Sequence, residues 1–436
     1  MKRQLHRGAL LHLIADPGQC EEPGKASCYE YFPDGELLVE DGHIVATGAR
    51  GTLINGRDTQ TEVIEHPHSL LLPGFIDTHV HYPQLDVIAS YGSQLLEWLE
   101  RYVFPEEAKF GDPTYAEAVA KRFLTELLAN GTTTALVYGT VHPESVDAFF
   151  TECEALNLRM IAGKVLMDRN APDTLRDDPE RAYAQSKELI ERWHGRGRLA
   201  YAVTPRFACT SSPEQLEAAA RLLAEYPDVY MQTHLSENHD EIRWVSELYP
   251  ESLNYFDVYD SAGLARKRSV FAHCIHLQDA EWNRLAETQS SIAFCPSSNL
   301  FLGSGLFALN TARDHHIPVG LGSDVGAGTS LSCFHTMDAA YKTQQLQNVS
   351  LDPLENLYLA TLGAAASLDL HDKIGNFSAG KEADFVVLDL NATPQIAERL
   401  KRTQTISETL FALITLGDDR VVGETWSFGK RCYVRR

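Results

Sequence analysis

The residues able to do chemistry sit at the ends of short apolar runs. His79-Val80-His81 closes the run at residues 71–81. In an extended strand, residues two apart project to one side, so both imidazoles face the same way. Two imidazoles at that spacing can share a metal ion. Three further runs end similarly, in Gln232-Thr233-His234-Leu235-Ser236-Glu237, Phe271-Ala272-His273-Cys274-Ile275-His276 and Gly322-Ser323-Asp324. One strand-end histidine is usually a hydrogen-bonded structural residue, but four runs ending this way describe a metal site. Three nitrogens and a carboxylate suit Zn2+ with a position kept for water, and Fe2+ fits the same donors. Such an ion brings the pKa of a bound water from about 15.7 to about 7, a difference of roughly 12 kcal/mol at about 1.36 kcal/mol per unit. The chemistry indicated is hydrolysis. Glu237, three residues past His234, is close enough to carry protons without binding the ion, and general acid–base help of this kind contributes about 10²–10⁴-fold. Asp324, acidic beside a cation, stays ionised and can take a proton from the water.

Positioning these residues requires strands whose ends converge. Between residues 71 and 324, apolar runs at 71–81, 133–137, 160–166, 199–204, 229–235, 270–275, 292–294 and 319–322 alternate with amphipathic stretches of helical length, such as 113–130, 179–194, 213–225 and 279–288. Ser212 before Pro213 and Gln278-Asp279 read as helix starts, and Asn130-Gly131 as a stop. Eight successive βα units predict an α/β fold, a closed (β/α)8 TIM barrel, whose active sites lie at the C-terminal mouth where the candidate ligands fall. The flanks differ. Residues 37–46 read as a hairpin turning at Asp41-Gly42, residues 384–390 as a strand, and residues 426–433, with Gly429 inside, as a second hairpin. Neither flank can bury a face alone. The expected organisation is a catalytic barrel over residues 71–374 and a small β-sandwich built from residues 1–70 and 375–436.

Composition narrows the partners. The 436 residues are 44% hydrophobic and 22% charged, and 38 basic against 60 acidic side chains give a net charge of −22. Nucleic acid and anionic membrane surfaces are repelled by such a field, so a small, weakly charged substrate is expected. No run reaches the roughly 18 apolar residues of a membrane span. Met1-Lys2-Arg3 and the apolar residues at 8–15 imitate a signal peptide, but His12 interrupts them and they read as a first strand. Eight scattered cysteines without a C-x-x-C pair read as reduced thiols of a cytoplasmic protein. His142-Pro143-Glu144 imitates half of another zinc motif whose P-C-x-x-C partner is missing, and reads as a helix start. His276 and His315-His316 read as structural or surface residues, and Gly303-Ser304-Gly305 is too short for a phosphate loop.

These residues carry a resemblance to the amidohydrolase superfamily, and within it to the guanine deaminases. The broad marks are the first-strand His-x-His, His234, His273 and Asp324. The narrower ones are Phe75-Ile76-Asp77-Thr78-His79-Val80-His81-Tyr82-Pro83-Gln84, Thr204-Pro205-Arg206-Phe207, His234-Leu235-Ser236-Glu237-Asn238 and Gly322-Ser323-Asp324-Val325-Gly326-Ala327-Gly328, with residues 163–172 and 380–385 also alike. The resemblance implies hydrolytic deamination of guanine to xanthine and ammonia, in a cytoplasmic homodimer. By analogy His79, His81, His234 and Asp324 hold one Zn2+ per chain and His273 hydrogen-bonds the metal's water. Gln84, Arg206, Phe207 and Glu237 would contact the purine. Some members bridge two metals through a modified barrel lysine on the fourth strand. Here that strand ends in Thr204-Pro205-Arg206, which leaves Lys164 out and favours one metal. The alternatives are a related aminohydrolase acting on another purine, a pyrimidine or a triazine ring, and a catalytically dead barrel, which would show gaps in the ligand set.

Overall fold

The computed structural model describes residues 2–20, 27–54, 60–92 and 94–435. The chain opens with four strands, β1 (Arg3–Leu13), β2 (Tyr29–Glu40), β3 (His43–Ala49) and β4 (Glu62–Pro73). Then follow β5 (Phe75–His81), β6 (Thr132–Tyr138), β7 (Arg159–Gly163), β8 (Val165–Leu166), β9 (Ala200–Pro205), β10 (Tyr230–Leu235), β11 (Ser269–His273), β12 (Ser291–Phe294) and β13 (Val319–Leu321). It closes with β14 (Phe385–Asp389), β15 (Val422–Ser427) and β16 (Lys430–Val434).

Eight parallel strands pair in the order β13-β12-β11-β10-β9-β7-β6-β5, with β8 continuing β7 beyond Lys164 and pairing with β9. Every residue of β5, β6, β7 and β11 is buried, which is why these strands read as unbroken apolar or small-polar runs without alternation. The intervening helices begin where side chains can satisfy their first amides. Asp112, Asp178 and Ser212 cap Pro113–Ala129, Pro179–Trp193 and Pro213–Glu225, each with proline in its first turn. Gly163 is required by packing, since a Cβ there would lie 1.7 Å from the Ala202 carbonyl oxygen of β9. Ile76, Leu136, Ile161, Tyr230, Val270 and Ala293, one from each of six strands, belong to one packed apolar cluster, so the barrel is filled and not a pore.

Closure of the barrel between β13 and β5 rests on individual bonds. Asp324 N–H donates to the His79 carbonyl (2.8 Å), His81 N–H to the Val325 carbonyl (2.9 Å) and Thr78 Oγ1 to the Leu321 carbonyl (3.0 Å). Asp77 crosses the same seam, accepting from Ser323 N (3.0 Å) and from Ser323 Oγ.

The terminal strands pair with one another as expected, in one continuous seven-stranded sheet of order β16-β15-β14-β4-β1-β2-β3. Its pairings are antiparallel except β1 with β4. Both hairpins turn through two left-handed residues, Asp41-Gly42 (φ 48° and 84°) and Phe428-Gly429 (φ 50° and 67°), the geometry that follows strand twist. One expectation is corrected here. Cys20 and Cys28 form a disulfide, so not all cysteines are free thiols; their separation of eight residues was not a pairing signal. The other six are free, five of them buried. No helix among the described residues is long and apolar enough to cross a membrane.

Candidate metal centre and active site

β5 carries His79 and His81, β10 carries His234, and Asp324 stands just beyond β13, so the four donors meet at the C-terminal mouth. The Nε2 atoms of His79 and His81 are 3.2 Å apart, and those of His81 and His234 3.3 Å. Asp324 Oδ1 lies 3.2 Å from His79 Nε2 and 3.4 Å from His81 Nε2. Four ligands on a tetrahedral ion with bonds of about 2.0–2.1 Å stand about 3.3–3.4 Å apart. The donor atoms therefore surround a space of the right size for one ion. Burial pushes the imidazoles of His79, His81 (to about 3) and His234 toward the neutral form that a metal needs. Burial works against ionising Asp324, but hydrogen bonding to His79 and His81 outweighs it and holds the carboxyl well below the usual range.

The donors are oriented from behind. His234 Nδ1 lies 2.6 Å from the Arg206 carbonyl and donates to it, which leaves the Nε2 lone pair turned to the centre. Asp77 Oδ1 accepts from His79 N (3.1 Å) as well as Ser323 N, fixing β5 against the Asp324 loop. Several site residues adopt left-handed backbone, His273 (φ 71°), Asp324 (φ 50°) and Ser236 (φ 50°), each turning the chain off its strand at the mouth. Such conformations cost on the order of 1 kcal/mol or more and persist where the surroundings enforce them.

On one side of the centre stands Glu237, 2% exposed. Its Oε2 lies 3.5 Å from His273 Nε2 and its Oε1 accepts from Ser304 Oγ (3.1 Å). Burial, with the nearby Asp324 charge, pushes its carboxyl up to about 8. His273 Nε2 is 3.8 Å from Asp324 Oδ2, and its Nδ1 is 2.9 Å from Asn299 Oδ1. Behind Glu237, Glu241 accepts from the backbone N–H of Glu237 (3.0 Å) and Asn238 (3.1 Å) and from the Tyr255 hydroxyl (2.6 Å). On the other side, the turn Tyr82–Val87 presents Gln84 and the exit of β9 presents Arg206 and Phe207, all three buried. A helical turn Leu95–Trp98 passes through a π-helical turn, Leu99–Val103, into Phe104–Glu107. Leu95, Trp98 and Leu99 give the cavity an apolar lining, and π-turns of this kind recur at functional sites. Together these side chains line one cavity at the barrel mouth.

Of the residues singled out in the sequence, His81, Gln84, Arg206, Phe207, His234, Glu237, His273 and Asp324 all line this one cavity, with His79 beneath them in the donor set. The residues set aside stay outside it. Lys164 is fully buried against Asp177, and His276 Nε2 bonds the Ser304 carbonyl (2.8 Å). His142 precedes the helix Pro143–Leu156. Four participants escaped the sequence reading: Ser304, dismissed with its glycines, Asn299, Glu241 and Glu107. Glu241 alone left a signal, an N3 glutamate in the capping box begun by Asn238.

The amidohydrolase family model matches residues 70–432. The guanine deaminase of Escherichia coli strain K12 is 52% identical over 413 residues, covering 94% of this chain and 93% of that protein. The E. coli guanine deaminase structure superposes with a TM-score of 0.95 at 48% identity, covering all of both chains. The guanine deaminase of C. acetobutylicum, solved with guanine in its active site, superposes at 0.89 with 28% identity over 99% of this chain and 100% of that one. The chain therefore belongs to the amidohydrolase family of metal-dependent hydrolases and, within it, to the guanine deaminases.

Proposed function

We propose that the protein removes the amino group of guanine by hydrolysis, giving xanthine and ammonia. The observation that carries this reading is the meeting of three groups on one buried cavity: the three-imidazole, one-carboxylate donor set, the buried Glu237 carboxyl, and the donors of Gln84 and Arg206. Similarity to guanine deaminases along nearly the whole chain supports it. His79, His81, His234 and Asp324 hold one ion per chain; the donors suit zinc, and Fe2+ is compatible. When bound, the ion supplies Lewis acidity that makes water a nucleophile at neutral pH.

The chain's own residues manage binding and protons. Asp324, ionised, accepts a proton as water adds to C2 of the ring. Glu237 delivers its proton to the neighbouring ring nitrogen, then carries the remaining proton of the added oxygen to the amino group, which leaves as ammonia as the C2–N bond breaks, and the proton taken by Asp324 returns to Glu237. His273, beside both carboxylates, hydrogen-bonds the incoming oxygen. Arg206 faces O6 with donors only, so guanine gains a charge-assisted bond where adenine would set donor against donor. Phe207 walls the ring and Gln84 reads a second edge. A cytoplasmic location and a homodimeric assembly accompany this reading.

The test is ammonia release from a panel of bases by the zinc-loaded protein. Guanine is expected to react, with adenine and cytosine giving essentially none, because a site built around a hydrogen bond rejects the wrong partner by about 10⁴–10⁵-fold. Faster turnover of a pyrimidine or triazine amine would favour the sister-enzyme reading, and no turnover at full metal loading would return the barrel to a non-catalytic role.

A further inference from the structure

We infer that Glu107, which stands behind the cavity wall, is the positioning residue that sets substrate choice, because its single carboxylate locks Gln84 and Arg206 into one donor array. This rests on the guanine reading above and extends it to a residue that touches no substrate. Glu107 is 1% exposed. Its Oε1 accepts from Gln84 Nε2 (3.0 Å) and its Oε2 from Arg206 Nη1 (2.7 Å).

The consequence for Gln84 is a fixed amide orientation. Its Oε1 accepts from the Gly326 backbone N–H at 3.2 Å, and a backbone N–H can only donate, so the amide cannot flip. Gln84 is left with one N–H and one lone pair for a ligand. Arg206 gives one of its five N–H groups to Glu107 and rests on the Phe104 ring, with Cζ 5.5 Å from the centroid. Phe104 and Glu107 lie on one short helix, so the guanidinium is held on its face and on its edge by a single element. Arg206 lines the cavity as well. Arg206 also fixes His234 through its carbonyl, so the substrate array and the metal centre share a frame.

The informative variant is Glu107→Gln in the full-length, zinc-loaded protein. An amide there has one oxygen, so it can accept from Gln84 or from Arg206 and turns its own N–H2 against the other. KM for guanine should rise by about 10–100-fold, the usual effect of losing an orienting partner, while the inhibition constant of 2-aminopurine, which lacks O6, moves by less than about threefold. One metal per chain should remain. In the Arg206→Ala background, where the amide can still accept from Gln84, the same substitution should change KM little. Equal losses for guanine and 2-aminopurine, or losses that simply add, would reduce Glu107 to scaffolding and overturn the inference. Should Glu107→Gln fail to fold, Glu107→Asp carries the same comparison, because it keeps the charge on an arm too short to hold both partners. A wild-type protein that does not turn over guanine sinks the substrate assignment, and this inference with it, before any variant is made.

Discussion

Glu237 works because of where it is buried. Water would leave its carboxyl near 4.5, but burial and the Asp324 charge raise it to about 8. A bound cation pulls the other way. Glu237→Gln keeps shape and hydrogen bonding to Ser304 but removes the shuttle. We expect near-normal metal content with kcat lowered by about 10²–10⁴-fold, and loss of the limb of the pH–kcat profile that Glu237 sets. Metal loss that is repaired by added zinc would make Glu237 a ligand or support. At this scale the sequence was readable wherever local geometry did the work. Strand parity aligned His79 with His81, and the strand ends announced His234, His273 and Asp324. Ser304 and Glu107 were not readable, because Ser304 meets Glu237 67 residues away and Glu107 joins Gln84 and Arg206, 23 and 99 residues away, and only the packing of barrel loops brings them together.

Elements have their own determinants, away from the mouth. The motif Gly380-Lys381-Glu382-Ala383-Asp384-Phe385 looked like a family mark without a physical reason. In the structure its acids receive two arginines from the starts of barrel strands. Arg159 Nε donates to Glu382 (2.7 Å), Arg198 Nε and Nη2 to the same carboxylate (2.9 and 2.7 Å), and Arg198 also bonds Asp384. This ties the terminal sheet to the barrel. Helix starts, with Asp or Ser before Pro, and the two left-handed hairpin turns were legible because their signals are local; this clasp joins residues 184 to 223 positions apart and was not. Burial raises the Glu382 carboxyl, but the hydrogen bonds and charges of the two arginines outweigh it and lower it overall. Its contribution is therefore complete above the ordinary value near 4.5 and disappears as pH falls through the lower folded value. Glu382→Ala should cost about 3–5 kcal/mol at neutral pH, the penalty for breaking a buried pair from one side. It should also flatten that acid dependence and leave kcat per folded molecule unchanged. Urea unfolding of wild type and variant across pH checks this, and equal slopes would count against the clasp.

For the whole molecule, the metal centre and the closure of the barrel are one structure. The ladder runs from β5 around to β13, and the last seam is held by a few bonds at Thr78, His79, His81 and Asp77. Three of the four candidate ligands stand on this seam, His79 and His81 on its β5 side and Asp324 on its β13 side. His234 reaches it from β10 across the mouth. An ion held by all four cross-links the first and last strands to the middle of the barrel. Occupancy then stabilises the folded state by RT ln(1 + [L]/Kd), about 4 kcal/mol at a thousandfold excess over Kd. Chelation should accordingly lower Tm by several degrees, and one equivalent of zinc per chain should restore it. The loss should not be uniform. The backbone amides of His81 and Asp324, which donate across the seam, should exchange faster in the metal-free protein. Amides of the terminal sheet should keep their protection. Uniform loss of protection would mean that the ion stabilises the fold without closing it. A second equivalent of tightly bound metal would revise the single-ion site, although Lys164, buried against Asp177, is poorly placed to bridge two.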